Sequence, residues 1–330
     1  MTSTGGLALS VVIPVVNAAR DIGPCLDSIN RQTSPPGGHE VVIADGGSTD
    51  ETRAIAERAG ARVVENEFRK AEPGVAVGMH AARGRLVTVM AADNRMRGTD
   101  FLVRMVEPFE DPDVVAALPR VVSTSEDGLV NRYVNRYSDP FNHFVYGSIN
   151  TSIDLMLKAG RASQRPTVEH HPLFAIAQGC TVRAGSVYAG PPEQADDVMA
   201  IIELIHRGGK IVLVAGAELE HHHAGGLGPL YRKYSKRTAE ALDGQQGFLR
   251  REAHISRDRR IRRWLWIPYS ASLVAPAIHG AAMAARHRDP VLLYHPIVNT
   301  ALFAAVVTGV ASAIGRRRGR SAPLQEKIDV

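Results

Sequence analysis

Two cysteines in 330 residues, Cys25 and Cys180, are too few and too far apart to form a disulfide framework or a cysteine metal cluster. Such usage suits a reducing compartment and two packed thiols. The N-terminus, MTSTGGLALSVVIPVV, has no positively charged start, and its apolar run is interrupted at Pro14, so no secretory signal is expected and the first 230 residues are expected in the cytoplasm. The turn after the first apolar run, PVVNAA, has no Gly-x-Gly, which excludes a dinucleotide-binding fingerprint there. Repeats and low-complexity tracts are absent.

A basic excess is also missing where a nucleic-acid-binding core would need one. Residues 1–228 hold 21 Lys/Arg against 27 Asp/Glu, while residues 229–263 hold 11 against 4 and residues 264–330 hold 7 against 3. The formal charge of +5 is therefore entirely C-terminal. The main globular part would repel a phosphate backbone, so nucleic acid is not an expected partner. A basic stretch beside apolar segments points instead to a membrane surface.

What the chain does have is enough apolar residue, 45%, to bury a full core and an appendage. ALSVVIPVV (8–16), the run at 40–44, ARVVEN (61–66) and RLVTVM (85–90) read as strands, with helical spacing between them near 19–30, 50–59 and 74–83. Strands alternating with helices at this interval predict an α/β fold with a mostly parallel sheet and flanking helices, whose ligands bind at the C-terminal strand ends. Residues 121–190 have no clean period. A helix over about 195–207, a Gly208-Gly209 stop and a strand at 211–214 follow.

The expected division is a domain over 1–228, a basic amphipathic linker at 229–263, two apolar segments within 264–315 and a basic tail at 316–330. Residues 264–285 and 290–315 each suffice for a hydrocarbon core that needs about 20 residues. Trp264 and Trp266 fit an interfacial belt, and the arginines at 257–263 and 316–320 fit cytoplasmic flanks. Pro268, Pro276 and Pro296 interrupt the segments, so a membrane hairpin, two interface-lying helices and a soluble helical appendage all stay open.

Four places could carry chemistry. In VVIADGGSTDETRAIAE (41–57), Asp45 ends an apolar strand, where a carboxylate is costly unless it accepts hydrogen bonds, and a nucleotide base could supply one. The alternative is a strand turning into a helix, with Gly46-Gly47 permitting the turn and Ser48-x-x-Glu51 forming a capping box. Asp93-Asn94 follows the strand at 85–90, either as a turn or as a seat for a cation bridging a diphosphate. Asp196-Asp197 could complement a helix dipole, or adjacent like charges could keep one carboxylate basic enough to take a proton. Of His221, His222 and His223, a strand lets only His221 and His223 share a side.

Taken together and in order, SVVIPVVN (10–17), VVIADGGSTDETRAIAE (41–57), AARGRLVTVMAADN (81–94), AQGCTVRAGSVYAG (177–190), ADDVMAIIELIHRGGKIVLV (195–214) and the histidines resemble glycosyltransferase family 2, enzymes of GT-A fold. The wording DGGSTD, the segment PGVAVGMHAARG (73–84) and the apolar C-terminus look most like the succinoglycan-type exopolysaccharide transferases. The resemblance covers residues 8 to about 237 and is weak over 121–176.

The resemblance implies that Pro14, Val16, Asn17, Asp45, Gly46, Ser48, Gly74, Ala92 and Asp93 line the nucleotide-sugar site. It further implies that Asp93, with His221, holds Mg²⁺ or Mn²⁺, that Asp197 of the Asp196-Asp197 pair is the general base, and that Gln178, Gly179 and Cys180 face the acceptor. The implied reaction is inverting hexosyl transfer by single displacement. The donor would be a nucleoside-diphosphate sugar, a UDP-sugar first, and the acceptor lipid-linked or glycan, at the cell membrane. The chain departs from the family at Ala91, where an aspartate is usual, and at Ala18, where a glutamate often stands. Ala91 supports the alternative of a silent membrane scaffold or sugar-nucleotide sensor. A nucleotidyltransferase would need a Gly-rich, Lys-containing loop that is not there. Processive synthesis is disfavoured because the Gln-x-x-Arg-Trp signature is missing: Arg260 stands where the Gln before Arg263-Trp264 should be.

Overall fold

The structure, a computed structural model, describes residues 6–146, 163–164, 175–222, 225–242 and 256–320. The first strand, β1 (Leu9–Val15), shows why the chain folds as it does. Leu9, Val11 and Ile13 enter one apolar cluster and Val12 the other, so alternate side chains of one continuous apolar run fill both faces of the sheet. Helix α1 (Ala19–Asn30) follows, then β2 (His39–Asp45), α2 (Thr52–Arg58), β3 (Arg62–Glu65), α3 (Ala71–Ala81) and β4 (Leu86–Met90). These elements lie within a few residues of their expected places.

Beyond Met90 the sheet changes character. β5 (Asn94–Met96), α4 (Phe101–Val106), β6 (Val114–Val122), α5 (Leu129–Tyr137), α6 (Pro140–Tyr146), β7 (Ser163–Gln164), β8 (Gln178–Arg183), α7 (Met199–His206) and β9 (Lys210–His221) complete one sheet of order β3-β2-β1-β4-β8-β6-β9-β5, with β7 on β9. Four pairings are parallel and four antiparallel, so the sheet is mixed: β1 to β4 are parallel as expected, and beyond them β6 and β9 alone pair in parallel among the described strands. The cause is β8, which inserts antiparallel between β4 and β6. At Gly179, whose φ of 75° is open to glycine, the register slips between Val89 and Met90.

The C-terminal part is a helical layer: α8 (Leu227–Leu242), α9 (Arg257–Ala271), α10 (Val274–His287) and α11 (His295–Arg320). The first long apolar segment expected from the sequence is not one helix. It breaks at Ser272–Leu273, where Leu273 takes a φ of 55°. Pro268 inside α9 and Pro276 inside α10 weaken a continuous ladder there. Among the described residues one helix, Pro290–Arg316, is long and apolar enough to cross a membrane. The segment expected to be a linker begins inside α8, a helix packed along α11, through contacts such as Tyr231 Oη to Thr308 Oγ1 at 2.7 Å.

Candidate functional site

Strands β2, β1 and β4 are neighbours and run parallel, so their C-terminal ends share one edge. Asp45 ends β2 and Asp93 follows the end of β4, with β1 between the two strands. Asp45 is buried and lies level with Val15 on one side and Glu65 on the other. Its Oδ1 accepts from Ser48 Oγ at 2.6 Å and from Ser48 N at 3.1 Å. Ser48 Oγ in turn accepts from Asn17 N at 2.9 Å, and Asn17 Oδ1 accepts from Thr49 N at 2.8 Å.

This overturns the capping box. Helix α2 starts at Thr52 and has no side-chain cap, because Ser48 is engaged in tying the β1 and β2 loops together around Asp45. Val16 is exposed beside this knot, and a Cβ on Gly46 would meet Val16 Cγ2. Arg69, also at a positive φ, puts its guanidinium next to Gly47. Gly74 is buried in α3, where any Cβ would strike Asn66 and Pro14, so the missing side chain lets α3 approach β1.

At Asp93 the second centre forms. Short pairing of β5 with β9 puts Asn94 opposite His221. The His221 Nε2 atom stands 3.6 Å from Asp93 Oδ1, and that oxygen is buried without a hydrogen-bond partner. Burial pushes the His221 imidazole below its ordinary pKa, so it is a neutral donor of a lone pair near neutral pH. Its carbonyl is held by Asn131 Nδ2 at 2.9 Å and Asn135 Nδ2 at 2.7 Å, both from α5. Ala91 N donates to Asn94 Oδ1 at 2.9 Å, and Ala92 packs partly buried against the core beside it. His223 lies outside the described residues.

The acidic pair divides its roles. Asp196 Oδ1 accepts from Val198 N at 3.0 Å and Met199 N at 2.9 Å, which caps α7. The helix therefore begins at Met199, later than expected, and Asp196 is buried and occupied. Asp197 is half-buried, with its backbone carbonyl accepting from Ile176 N at 2.9 Å. Both Asp93 and Asp197 act electrostatically on Lys233 of α8, as does Glu72 of α3. Those three acids thus lie near enough to Lys233 to act on its charge. Burial, and then Arg237, lower the Lys233 pKa to about 8.

Lys233 carried no mark in the sequence beyond its place in a basic run. The available signal was Lys233 with Arg237 at i, i+4 on one helical face. Two acceptor-side expectations fail on burial. Cys180 is fully buried in the core, its thiol pushed well above its ordinary value by desolvation, and it cannot reach an acceptor. Gly179 is buried as well, and Gln178 alone of the three is partly exposed.

Residues 10–165 match the family model for Glycosyl transferase family 2. That match takes in a little under half of the chain and marks a likeness to glycosyltransferase family 2. A PGL/p-HBAD biosynthesis glycosyltransferase of Mycobacterium tuberculosis is 38% identical over 104 residues, 29% of this chain and 39% of that protein. Glycosyltransferase AglE of Haloferax volcanii is 46% identical over 56 residues, 17% of this chain and 18% of that protein. The chain thus spans well under half the length of these curated relatives. Among solved structures, the mannosyltransferase PcManGT from Pyrobaculum calidifontis, in complex with GDP-Man and Mn²⁺, aligns with a TM-score of 0.52 at 17% identity, covering 95% of this chain and 89% of that one. That likeness is one of fold, and it supports a GT-A arrangement for this chain.

Proposed function

We propose that the chain is an inverting glycosyltransferase, moving a hexosyl group from a nucleoside-diphosphate sugar to the hydroxyl of a lipid-linked or glycan acceptor at a membrane. One observation carries the reading: the orphaned Asp93 Oδ1, faced by the neutral His221, sits at the edge that also holds Asp45 and shares Lys233 with Asp197. An unpartnered buried carboxylate oxygen is costly, and a divalent cation satisfies it.

The donor set fits Mn²⁺ or Mg²⁺ completed by diphosphate oxygens and water: among the described residues no third His, Cys, Asp or Glu joins Asp93 and His221. When bound, the ion supplies charge for the leaving diphosphate. Lys233 adds a second cation on the same side. Asp45, held by Ser48, offers its other oxygen to the ring N–H of a base, with Val16 as an apolar wall. Asp196 caps α7, and the half-buried Asp197 beside it takes the acceptor proton as the hydroxyl attacks the anomeric carbon opposite the diphosphate.

A thermal-shift panel of UDP-, GDP- and dTDP-sugars with and without Mn²⁺ tests this. Stabilisation by one donor class only in the presence of the ion is expected. Absence of a shift with every donor sinks the reading. Binding with no transfer to any lipid or glycan acceptor leaves the silent sensor, which Ala91 favours.

A further inference from the structure

We infer that α9, α10 and α11 seat the chain on a single leaflet of an anionic bilayer without crossing it. The inference rests on the membrane-bound reading above and specifies how the membrane is met.

Helices α9 and α10 form a bent pair that turns several large apolar side chains outward. Trp264 is 72% exposed, Leu273 58%, Val274 64% and Ile278 66%, with Leu265 and Ile267 also exposed. Leu273 and Val274 stand at the bend itself. With 15 and 14 residues, the two helices are about 22 and 21 Å long at 1.5 Å per residue, and neither reaches across a core of about 30 Å. A bend with an apolar tip fits a wedge into one leaflet.

Helix α11 is long enough to span, but its packing forbids it. Gly309 lies so close to α8 that a Cβ would come within 2.6 Å of Ser235 O and Thr238 Cβ. Helix α8 carries Arg232, Lys233, Lys236, Arg237 and Glu240, and a spanning α11 would drag them into hydrocarbon. Lying along the surface, α11 instead keeps α8 in water, buries Val298, Leu302 and Ala305, and turns Ile297, Val307 and Ile314 outward. Apolar residues thus cover both faces of α11, one packed against the protein and the other turned to lipid.

Charge selects the occupant. Between residues 256 and 316 there are eight arginines and two acids. Of the two acids, Asp289 is buried against Tyr137 and Arg136. Arg257, Arg260, Arg262, Arg286 and Arg288 are exposed around the apolar surface. Beside this layer, between α8 and α11, a groove of about 530 Å³ is lined by Arg232, Lys236 and Arg316 among others. Anionic headgroups complement such a rim. A second copy docking by the same patch would bring arginines against arginines.

The test uses the full chain. Purified protein is floated with vesicles of phosphatidylcholine alone or mixed with phosphatidylglycerol, and the triple variant Trp264→Ser, Leu273→Ser, Val274→Ser is run beside it. Binding to the anionic vesicles, weakened at least tenfold in the triple variant, is expected. Sidedness is then read with a membrane-impermeant maleimide on Arg58→Cys, Arg286→Cys and Arg316→Cys in sealed inside-out membranes. The native thiols are fully buried and give little background.

All three sites reacting from the same side supports one-leaflet seating. Arg286→Cys reacting only from the opposite side shows a two-span hairpin, and Arg316→Cys alone doing so shows a spanning α11; either overturns the inference. So does failure to float together with concentration-dependent self-association. Donor binding measured on the same preparation separates the two readings, because its loss with flotation intact removes the transferase assignment and leaves the seating untouched.

Discussion

The imidazole of His221 reaches Asp93 at 3.6 Å although the backbone pairs His221 with Asn94. Strand pairing thus fixes the histidine one residue out of step with the carboxylate it faces, and Asn131 and Asn135 clamp its carbonyl there. The two side chains are held together by elements more than a hundred residues apart in sequence.

That relationship predicts how metal dependence fails. Asp93→Ala should weaken Mn²⁺-supported binding of the nucleoside diphosphate by at least about tenfold while leaving metal-free binding unchanged. His221→Ala should do the same more weakly. Isothermal titration with and without chelator measures both, and an Asp93→Ala protein that keeps its full response to Mn²⁺ removes Asp93 from the ion.

Adjacent aspartates should lose different things. Asp197→Asn should abolish transfer with the donor dissociation constant within about twofold, because a base acts only in the chemical step. Asp196→Ala should keep measurable turnover and cost about 1 kcal/mol of stability through the lost cap on α7. Turnover and denaturant midpoints on both variants decide it. Near wild-type turnover in Asp197→Asn would end its role as base.

Much of this was legible in the sequence and the rest was hidden for physical reasons. Strands β1, β2 and β4 read clearly because each holds an apolar run buried on both faces, and Asp45 and Asp93 stood out as carboxylates at or just past the ends of such runs. The antiparallel strand β8 did not, since a short strand slipped between two others leaves no helix period before it to mark a crossover. Ser48 looked like a helix cap because capping and carboxylate anchoring use the same hydroxyl. Cys180 was expected to face the acceptor, but strand alternation turns it into the core. Lys233 was invisible because its partners, Asp93, Asp197 and Glu72, come from three other elements.

In the proposed reaction Lys233, acted on by Asp93 and Asp197, would meet the charge that develops on a leaving diphosphate. Lys233→Gln should lower kcat by roughly 10²-fold, the usual scale for removing one transition-state donor, with a smaller effect on donor affinity. Lys233→Arg should recover part of the rate. A steady-state comparison at saturating donor reads the split, and a kcat within twofold of the parent in Lys233→Gln would make the lysine a packing residue.

Both thiols should be silent in the native protein. Desolvation pushes Cys25 up to about 12 and Cys180 higher still, so neither forms a thiolate near neutral pH. Iodoacetamide at pH 8 should modify neither until denaturant is added, and Cys180→Ser should leave KM for the acceptor unchanged while lowering the melting temperature. A changed acceptor KM with unaltered stability would restore Cys180 to the acceptor side.

The helical layer should come apart in acid before the sheet does. His143, His279 and His295 sit with ring centroids 5.1 to 6.1 Å apart. Tyr269 Oη bridges His279 Nδ1 and His295 Nε2 at 2.8 Å each, and Tyr133 Oη bonds the remaining nitrogen of His295. Burial, and then the neighbouring histidines, lower His143 to about 4 and His295 to about 3. A histidine whose folded pKa lies below the unfolded value near 6.5 binds more protons when unfolded, so its neutral form stabilises the fold fully above about pH 6.5. That stability is lost as pH falls from 6.5 toward 4, on the order of 2 kcal/mol at pH 5 from His143 alone. Circular-dichroism melts between pH 7.5 and 5.0 should show the drop, and His143→Phe should flatten the slope. An unchanged slope in that variant would place the acid sensitivity elsewhere in the chain.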